Sequence, residues 1–279
     1  MYKKELFSYF QSKLKQVRYN FNLALINDPD GIHDLRVEFK RLRGFFKLVE
    51  SINSDFNAKK NFKDFRKIAK STNGLRDSHV QQILLKNAGK TLHIDVNAYQ
   101  NYMKKIEAEN LESFRNFSRK NTIENLKKRG KCIKRALKDI TPVWAETKAR
   151  GCIYNMRTNL ILLSDQKDLN DKILHNIRIL SKETHYILEI IQKCFHKYEN
   201  AKDFEAGIKK VHQVLGKWHD FDVSITYLDG YVETNGEDIS DESYHKLREH
   251  LQQEKELLKK SFRAVFDEFN NIASVSLLQ

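Results

Sequence analysis

Two distant stretches of this sequence resemble each other, and this internal repeat constrains the fold more than any other feature. The stretches read IHDLR around His33 and LHNIR around His175, and the same offset of 142 residues carries Lys40 to Lys182. Matching order and spacing over such a distance are typical of a duplicated structural unit. A fold with two similar halves is therefore predicted.

A second pair of similar stretches follows the first pair at nearly the same offset. RDSHV begins at Arg76 and HDFDV begins at His219, which is an offset of 143 residues, and a fainter SFR match recurs at an offset of 148. A small drift in offset is what insertions in loops produce. We predict a single domain over 1–279 that consists of two helical repeats, 1–140 and 141–279.

The periodicity of apolar residues predicts an all-α fold. Only 2 prolines and 10 glycines occur in 279 residues, which is too little turn punctuation for a many-stranded sandwich or barrel. In the first segment, Leu6, Phe10, Leu14, Val17 and Phe21 recur at helical spacing. Further helices are predicted at about 32–52, 57–88, 95–118, 122–139, 143–163, 170–198, 202–232 and 240–272.

Composition excludes several classes of protein. An apolar fraction of 40%, with 17 Phe and 11 Tyr, is enough to build a core and excludes general disorder. Cys132, Cys152 and Cys194 lie far apart without a CxxC pair, so we expect neither a disulfide framework nor a zinc site, and no metal or cofactor. Trp144 and Trp218 lie on otherwise apolar faces and are predicted core residues. Since the sequence shows neither a signal-peptide core nor a run that could span a bilayer, a cytoplasmic protein is expected.

Each repeat carries a basic stripe along one helix. A helical wheel with about 100° per residue places His33, Arg36, Lys40 and Arg43 on one side of the first helix and Arg41 on its flank. The second repeat aligns a matching set on the same wheel: His175, Arg178, Lys182 and His185. Apolar residues occupy the opposite side of both helices.

The two stripes indicate an anionic partner. Like charges that are three or four residues apart on a helix repel each other, and the chain has a net charge of +13 with a pI of about 9.4. A single basic stripe is commonly just a solvated surface. A solvated surface does not explain why residue identities match at an offset of 142 while the intervening sequence diverges, so we favour a bound polyanion.

The stripes and the later segments resemble the CHAD domain, the conserved histidine α-helical domain. The pattern HxxRxxxKRLR begins at His33, and LHxxRxxxK begins at Leu174. Each CHAD half also carries a downstream LGxxRDxxV-like segment, which appears here as TNGLRDSHV from Thr72 and as LGKWHDFDV from Leu215. Four segments in the same order make the resemblance fairly specific, and it covers nearly the whole chain.

The resemblance implies two four-helix bundles that are related by a pseudo-twofold axis, with a basic groove between them. Proteins of this family bind inorganic polyphosphate and many are not enzymes, so binding without catalysis is expected, and association with polyphosphate granules is a further expectation. The positions that match the family's basic motif are His33, Arg36, Lys40, Arg41, Arg43, His175, Arg178 and Lys182.

Two positions depart from the family pattern. His185 stands where the pattern usually has arginine, so the second stripe is expected to be weaker in charge and sensitive to pH. Asn73 stands where the first downstream segment usually has glycine. Because asparagine tolerates a left-handed backbone, this departure leaves the predicted fold intact.

The chemistry of the stripes fits a phosphate chain. Such a chain presents closely spaced anionic oxygens, for which arginine provides a planar fork and lysine a mobile point charge. A further basic run precedes Pro142, and it either extends the binding surface or is only solvated. This run consists of Lys127, Lys128, Lys131, Lys134 and Arg135.

Other functions stay open at this point. Nucleic-acid backbones also attract Lys and Arg, although the stripes lack interleaved aromatic residues. His33 or His175 could accept a phosphoryl group in histidine phosphotransfer. His219, Asp220 and Asp222 resemble part of a metal phosphohydrolase site, but that chemistry needs more converging ligands. We predict that these residues and their counterparts in the first repeat cap helices or pair with cations.

Overall fold

The computed structural model describes residues 2–121, 123–166, 168–195, 202–235 and 241–276, and these ranges contain helices and no strand. The all-α prediction is confirmed. The helices in chain order are α1 (Tyr2–Leu25), α2 (Pro29–Ile52), α3 (Ala58–Asn61), α4 (Lys63–Ser71), α5 (Asn73–Leu92), α6 (Asn97–Lys120), a 3₁₀-helix (Ile123–Lys128), α7 (Arg129–Leu137), α8 (Pro142–Ser164), α9 (Asp171–Cys194), α10 (Lys202–Asn235) and α11 (Asp241–Ser276). Within the described ranges, no helix combines the length and the apolar character that crossing a membrane requires.

The two helices that carry the basic stripes, α2 and α9, both begin at a side-chain N-cap. The carboxylate of Asp28 accepts the backbone N–H of Gly31 at 2.6 Å. The side chain of Asn170 accepts the N–H of Ile173 at 3.1 Å. Because these oxygens satisfy N–H groups that lack a partner within the helix, each helix begins at a defined residue. The predicted break before α2 is confirmed, although the helix already begins at Pro29.

The predicted single helix over 57–88 is wrong, because this range contains α3, α4 and α5. Asn57 caps α3 with its side chain. Phe62 lies at the junction of α3 and α4, where its ring stacks on that of Phe65 with centroids 5.6 Å apart. Thr72 lies at the junction of α4 and α5, fully buried, and its hydroxyl donates to a carbonyl of the preceding turn. Local capping and aromatic packing therefore interrupt a segment whose apolar period alone is helical.

Helices α2 and α9 pack against each other within the largest hydrophobic cluster of the described residues. A methyl group on Gly44 of α2 would lie 3.4 Å from the side chains of Tyr186 and Ile187 of α9, so the helices are in close contact here. Tyr186 is also the counterpart of Gly44 at the offset of 142 residues. The contact between the two stripe helices is thus centred on equivalent positions of the two repeats.

Two ion pairs flank this contact on either side. The Arg41 Nε atom lies 3.0 Å from a carboxylate oxygen of Glu189, and the Lys47 ammonium binds Glu183. At the offset of 142, Arg41 corresponds to Glu183 and Lys47 corresponds to Glu189. Each pair is therefore the image of the other with the charges exchanged, which is the pattern that a pseudo-twofold axis between α2 and α9 generates. The division into repeats 1–140 and 141–279 stays a prediction, with which this pattern agrees.

A second hydrophobic cluster joins the downstream helices of the two repeats. Leu85 and Tyr99, from α5 and α6, pack with Leu228, Tyr231 and Leu247, from α10 and α11. The rings of Tyr99 and Tyr231 are stacked with centroids 4.8 Å apart. Stacked aromatic pairs contribute beyond the area that they bury. This packing holds α5 beside α10, which is what brings their polar faces together.

The two tryptophans differ in exposure. Trp218 is only 1% exposed, which confirms its predicted place in the core, whereas Trp144 is 48% exposed and its prediction is wrong. The indole Nε1 of Trp144 donates to the carbonyl of Ile52 at 2.9 Å, and the Lys148 ammonium lies 4.5 Å from its ring centre. Tryptophan has a polar edge as well as an apolar face. Here that edge satisfies the carbonyl at the end of α2.

Candidate functional site

Helices α2, α5, α9 and α10 together enclose a cavity of about 190 Å³, which we call the central cavity. Most of its lining residues occur as counterparts from the two repeats, such as Arg36 with Arg178 and Lys40 with Lys182. The complete lining consists of His33, Arg36, Lys40, Arg76, Asp77, Val80, Gln81, Arg178, Lys182, Gly216, His219, Asp220 and Val223. The repeat that was detected in the sequence therefore builds one shared site.

The two lysines of the central cavity are destabilised in their charged form. Burial, the ammonium of Lys40 and the guanidinium of Arg178 lower the pKa of Lys182 to about 6. Burial and the guanidinium groups of Arg36 and Arg178 lower the pKa of Lys40 to about 8. A lowered lysine pKa means that the surroundings of the lysine penalise its ammonium form. An anion that enters the cavity would remove this penalty.

The two arginines lie beside two carboxylates of the same cavity. Burial raises the pKa of Asp77 although Arg36 is close by, and it raises the pKa of Asp220 although Arg178 is close by. Arg36 also donates a hydrogen bond to the side chain of Asn73. Each aspartate thus accompanies the arginine of its own repeat, as the sequence predicts. Neither aspartate caps a helix, because both lie inside α5 and α10 rather than at their ends.

Comparison with known proteins identifies the family of this chain. The family model described as the CHAD domain matches residues 8–229, which is most of the sequence. The chain belongs to the CHAD domain family. The solved structures that are similar to it include the following two. The CHAD domain from the plant Ricinus communis matches with a TM-score of 0.76 and 17% identity, over 96% of this chain and 91% of that chain. PptA from Streptomyces chartreusis matches with a TM-score of 0.70 and 12% identity, over 95% of this chain and 99% of that chain. No curated protein matches the sequence.

The leading histidines of the two stripes differ in position. His33 lines the cavity at its solvent-exposed side, and partial desolvation of its ring together with Arg76 lowers its pKa. His175 does not line the cavity, and its ring centre lies 5.5 Å from that of His219. Burial and the nearby Arg178 lower the pKa of His219 to about 4. The rings of His33 and His219 are therefore neutral near pH 7 unless an anion raises their pKa values.

His185 lies outside the central cavity, one turn further along α9 than Lys182. Its ring centre is 4.9 Å from that of His212 of α10. The Nδ1 atom of His185 and the Nε2 atom of His212 are buried and have no hydrogen-bond partner among the described residues. Burial lowers the pKa of His185, and burial together with His185 lowers the pKa of His212 to about 3. The second stripe is thus weaker in charge at this position, as the sequence predicts.

The side chain of Arg41 is held by two carboxylates. Its Nη1 atom lies 2.6 Å from a carboxylate oxygen of Glu38, and its Nε atom lies 3.0 Å from Glu189. Both carboxylates raise the pKa of the guanidinium above its ordinary value, although burial opposes them. Arg41 therefore joins α2 to α9 and does not line the central cavity.

Arg43 also lies outside the central cavity, but it lines a neighbouring one. Its Nε atom is 3.0 Å from a carboxylate oxygen of Glu183, and half of its side chain is exposed. The neighbouring cavity lies between α2, α3 and α4. Arg43 thus remains available to an anion, at a different place from the one that the stripe alone indicates.

The basic run before Pro142 is not part of the central cavity. It is split between the 3₁₀-helix and α7, and its members are exposed. Lys128 lines a separate cavity of about 320 Å³ with Lys67 and Lys120, and the Lys134 ammonium lies 4.4 Å from the ring centre of Phe7. The structure therefore separates this run from the stripes: Lys127, Lys128, Lys131, Lys134 and Arg135.

The residues that resembled a metal phosphohydrolase do not converge. Asp222 faces α11, where one of its carboxylate oxygens accepts the Lys255 ammonium at 2.7 Å. His219 and Asp220 face the central cavity instead. Within the described part of the chain, no three His, Cys, Asp or Glu side chains form a group that could hold a metal ion. The sequence assigns His219, Asp220 and their counterparts to helix caps or cation pairs, whereas in the structure they line the central cavity.

Proposed function

We propose that this CHAD domain binds inorganic polyphosphate in the central cavity without hydrolysing it. One observation carries the proposal: Arg36, Lys40, Arg178 and Lys182 line a single small cavity. The cavity contains two aspartates, so its lysines and arginines outnumber its carboxylates. Arginine forks and lysine ammonium groups at this density match the closely spaced oxygens of a phosphate chain. The family resemblance supports the same ligand.

The lining of the cavity favours a phosphate chain over a nucleic acid. Proteins that bind single-stranded nucleic acids stack bases on aromatic side chains. Among the described residues that line the central cavity, none is Phe, Tyr or Trp. Polyphosphate has no bases and needs no such platform. The shared preference for phosphate oxygens makes RNA the appropriate competitor in any test.

Binding without turnover is the second part of the proposal. The carboxylates that could act as a general base, Asp77 and Asp220, lie beside the arginines of their own repeats. The arginines oppose the rise in pKa that burial causes at both carboxylates, and we assign the cations on both sides of the cavity to ligand binding. We therefore expect no release of orthophosphate from long-chain polyphosphate over hours of incubation.

Long-chain polyphosphate titrations at several salt concentrations test the binding proposal. The decisive variant combines R36A, K40A, R178A and K182A. We expect tight binding by the parent protein, a steep loss of affinity with salt because counterions are released, and loss of binding in the variant. Circular dichroism would verify that the variant is folded. Equal competition by RNA at matched phosphate concentration would favour the nucleic-acid alternative.

A matched control removes the same amount of charge elsewhere. The combined variant K128A, K131A, K134A and R135A also loses four cations, all of them exposed and outside the central cavity. It should bind as the parent does, apart from a small effect of net charge. Equal losses in the two quadruple variants would mean that only the total charge matters, which would contradict a built site.

Association with polyphosphate granules in the cytoplasm is a corollary of this function. A fluorescent fusion of the parent protein should colocalise with granules in granule-rich cells. The fusion that carries the four central-cavity substitutions should be diffuse. A diffuse parent fusion in such cells would contradict this corollary without affecting the binding proposal.

A further inference from the structure

A second cationic cavity adjoins the central cavity along α2. It has a volume of about 290 Å³ and lies between α2, α3 and α4, and we call it the α2–α4 cavity. Four of its lining residues are cationic and one is acidic. The lining consists of Arg43, Phe46, Lys47, Glu50, Ala58, Lys59, Phe62 and Arg66.

A continuous row of cations connects the two cavities. Arg36, Lys40, Arg43 and Lys47 follow one another at spacings of four, three and four residues on α2. On a helix these four positions lie within about 60° of one another and span about 16 Å along the axis. The first two line the central cavity, and the last two line the α2–α4 cavity. A flexible anionic chain can therefore follow this row without leaving a cationic surface.

The α2–α4 cavity has more positive charge than its own carboxylates balance. Arg43 and Lys47 share one carboxylate, that of Glu183. The carboxylate of Glu50 accepts the backbone N–H of Ala58 at 2.8 Å. Two more cations of this cavity are exposed and have no ion pair within the described ranges: Lys59 and Arg66. These two are free to bind an anion.

The equivalent direction along α9 is closed to an anion. The counterparts of Arg43 and Lys47 on α9 are His185 and Glu189. Glu189 is held by Arg41 and accepts the Lys193 ammonium at 2.9 Å. His185 is neutral near pH 7 because burial lowers its pKa. A phosphate chain that leaves the central cavity along α9 would meet a neutral ring and a carboxylate.

We propose that a long polyphosphate chain leaves the central cavity along α2 and binds a second time in the α2–α4 cavity, through Arg43, Lys47, Lys59 and Arg66. This inference rests on the proposed function and adds the direction in which a long chain leaves the central cavity. The protein then distinguishes polyphosphates by length, because a short chain occupies the central cavity alone, whereas a long one also occupies the α2–α4 cavity.

The test compares two ligands and two double variants. K59A with R66A removes the two free cations of the α2–α4 cavity. K60A with K63A is the matched control, since Lys60 and Lys63 are exposed residues of the same helices that do not line the cavity. The ligands are tripolyphosphate and long-chain polyphosphate, and the readout is affinity as a function of salt.

We expect K59A with R66A to weaken the binding of long-chain polyphosphate about tenfold and to reduce the slope of log affinity against log salt by about 1.5, the value for two lost phosphate contacts. Its affinity for tripolyphosphate should stay within about twofold of the parent's. The control variant should change neither ligand by more than about twofold.

The outcomes separate the two levels of inference. If the parent protein binds neither ligand, the proposed function fails. If the parent binds both ligands and the two double variants bind the long chain equally well, only the proposed second binding site in the α2–α4 cavity is contradicted. Loss of tripolyphosphate binding in K59A with R66A would likewise overturn the separation of the two cavities.

Discussion

Helices α2 and α9 carry equivalent stripes that begin alike and end differently. The first two stripe cations, Arg36 and Lys40, have identical counterparts in Arg178 and Lys182, and all four line the central cavity. At the next two positions, α2 has Arg43 and Lys47, whereas the corresponding residues of α9 are an imidazole and a carboxylate. The residues that build the shared cavity match, and those beyond it have diverged.

This difference shows that the two repeats are complementary rather than interchangeable. The ion pairs between Arg41 and Glu189 and between Lys47 and Glu183 have opposite polarity at equivalent positions. The carboxylate of α9 that balances Arg41 also removes the cation that would continue the stripe. The residues that pack the repeats together therefore also set the direction of the proposed binding path.

The largest effect is expected from removing an arginine of the central cavity, which the two stripe helices share. R36A and R178A should each weaken polyphosphate binding about 10- to 100-fold, because each removes charge-assisted hydrogen bonds to phosphate. Isothermal titration calorimetry at fixed salt would measure both. Similar losses of affinity in the two variants would support equivalent roles for the two arginines. An unchanged affinity in either variant would show that the two repeats do not share the binding site.

Binding should also depend on pH, with proton uptake by the cavity lysines. The free protein has a Lys182 pKa of about 6 and a Lys40 pKa of about 8, and a bound polyanion raises both. The protein should therefore take up protons on binding at about pH 7.5, and its affinity should fall as the pH rises. Protonation of Asp77 and Asp220, whose pKa values burial raises, acts in the same direction at lower pH.

Calorimetry in two buffers with different ionisation enthalpies measures this uptake. K182R retains the charge but does not titrate in this range, so its uptake should be smaller than that of the parent. Equal uptake by the two proteins would show that Lys182 is not the titrating group.

The crowded cations of the central cavity should reduce the stability of the protein, and K182M is expected to recover part of the loss. Because the folded chain holds the Lys182 proton less strongly than the unfolded chain does, this lysine destabilises the free protein fully below about pH 6, and the penalty declines as the pH rises towards the ordinary lysine pKa. Its replacement by methionine should raise the melting temperature by about 2–4 °C, or about 1 kcal/mol, near neutral pH while it weakens binding. K217M, at an exposed lysine of α10, is the control. A lower melting temperature for K182M than for the parent protein would contradict a destabilising effect of Lys182.

The smallest effect is expected from making α9 more like α2. His185→Arg places a cation at the position of α9 that corresponds to Arg43. This variant should raise the affinity for polyphosphate at about pH 7.5 by about two- to fivefold. His185→Gln, which adds no charge, should leave it unchanged. Equal affinities for the two variants would mean that the nearby Glu189 and Glu205 neutralise any cation at this position.

The sequence was sufficient for the paired stripes and for the helix that carries each one. A residue offset detects equivalent positions, and a period of 3.6 detects the face on which they lie. It was insufficient for Arg41, whose wheel position is on the flank and whose partner Glu189 is 148 residues away. Charge alone does not distinguish a cation that binds a ligand from one that holds two helices together.

One further error has a local cause. The range 57–88 is predicted as one helix from its apolar residues, but Phe62 and the buried Thr72 lie at junctions that end one helix and begin another. The sequence predicts that Asp77 and Asp220 pair with cations or cap helices, whereas their position in the lining of the central cavity is seen only in the structure. The internal repeat is a better guide to the site than the charge of single residues, because it identifies the two aspartates as equivalent positions.

A crystal structure with tripolyphosphate would test the central claim most directly, because it locates the ligand instead of inferring it from charge. We predict phosphate groups between α2 and α9, within hydrogen-bond distance of Arg36, Lys40, Arg178 and Lys182. Tripolyphosphate bound instead on the exposed basic surface around Lys131 and Arg135, with the central cavity empty, would contradict this prediction.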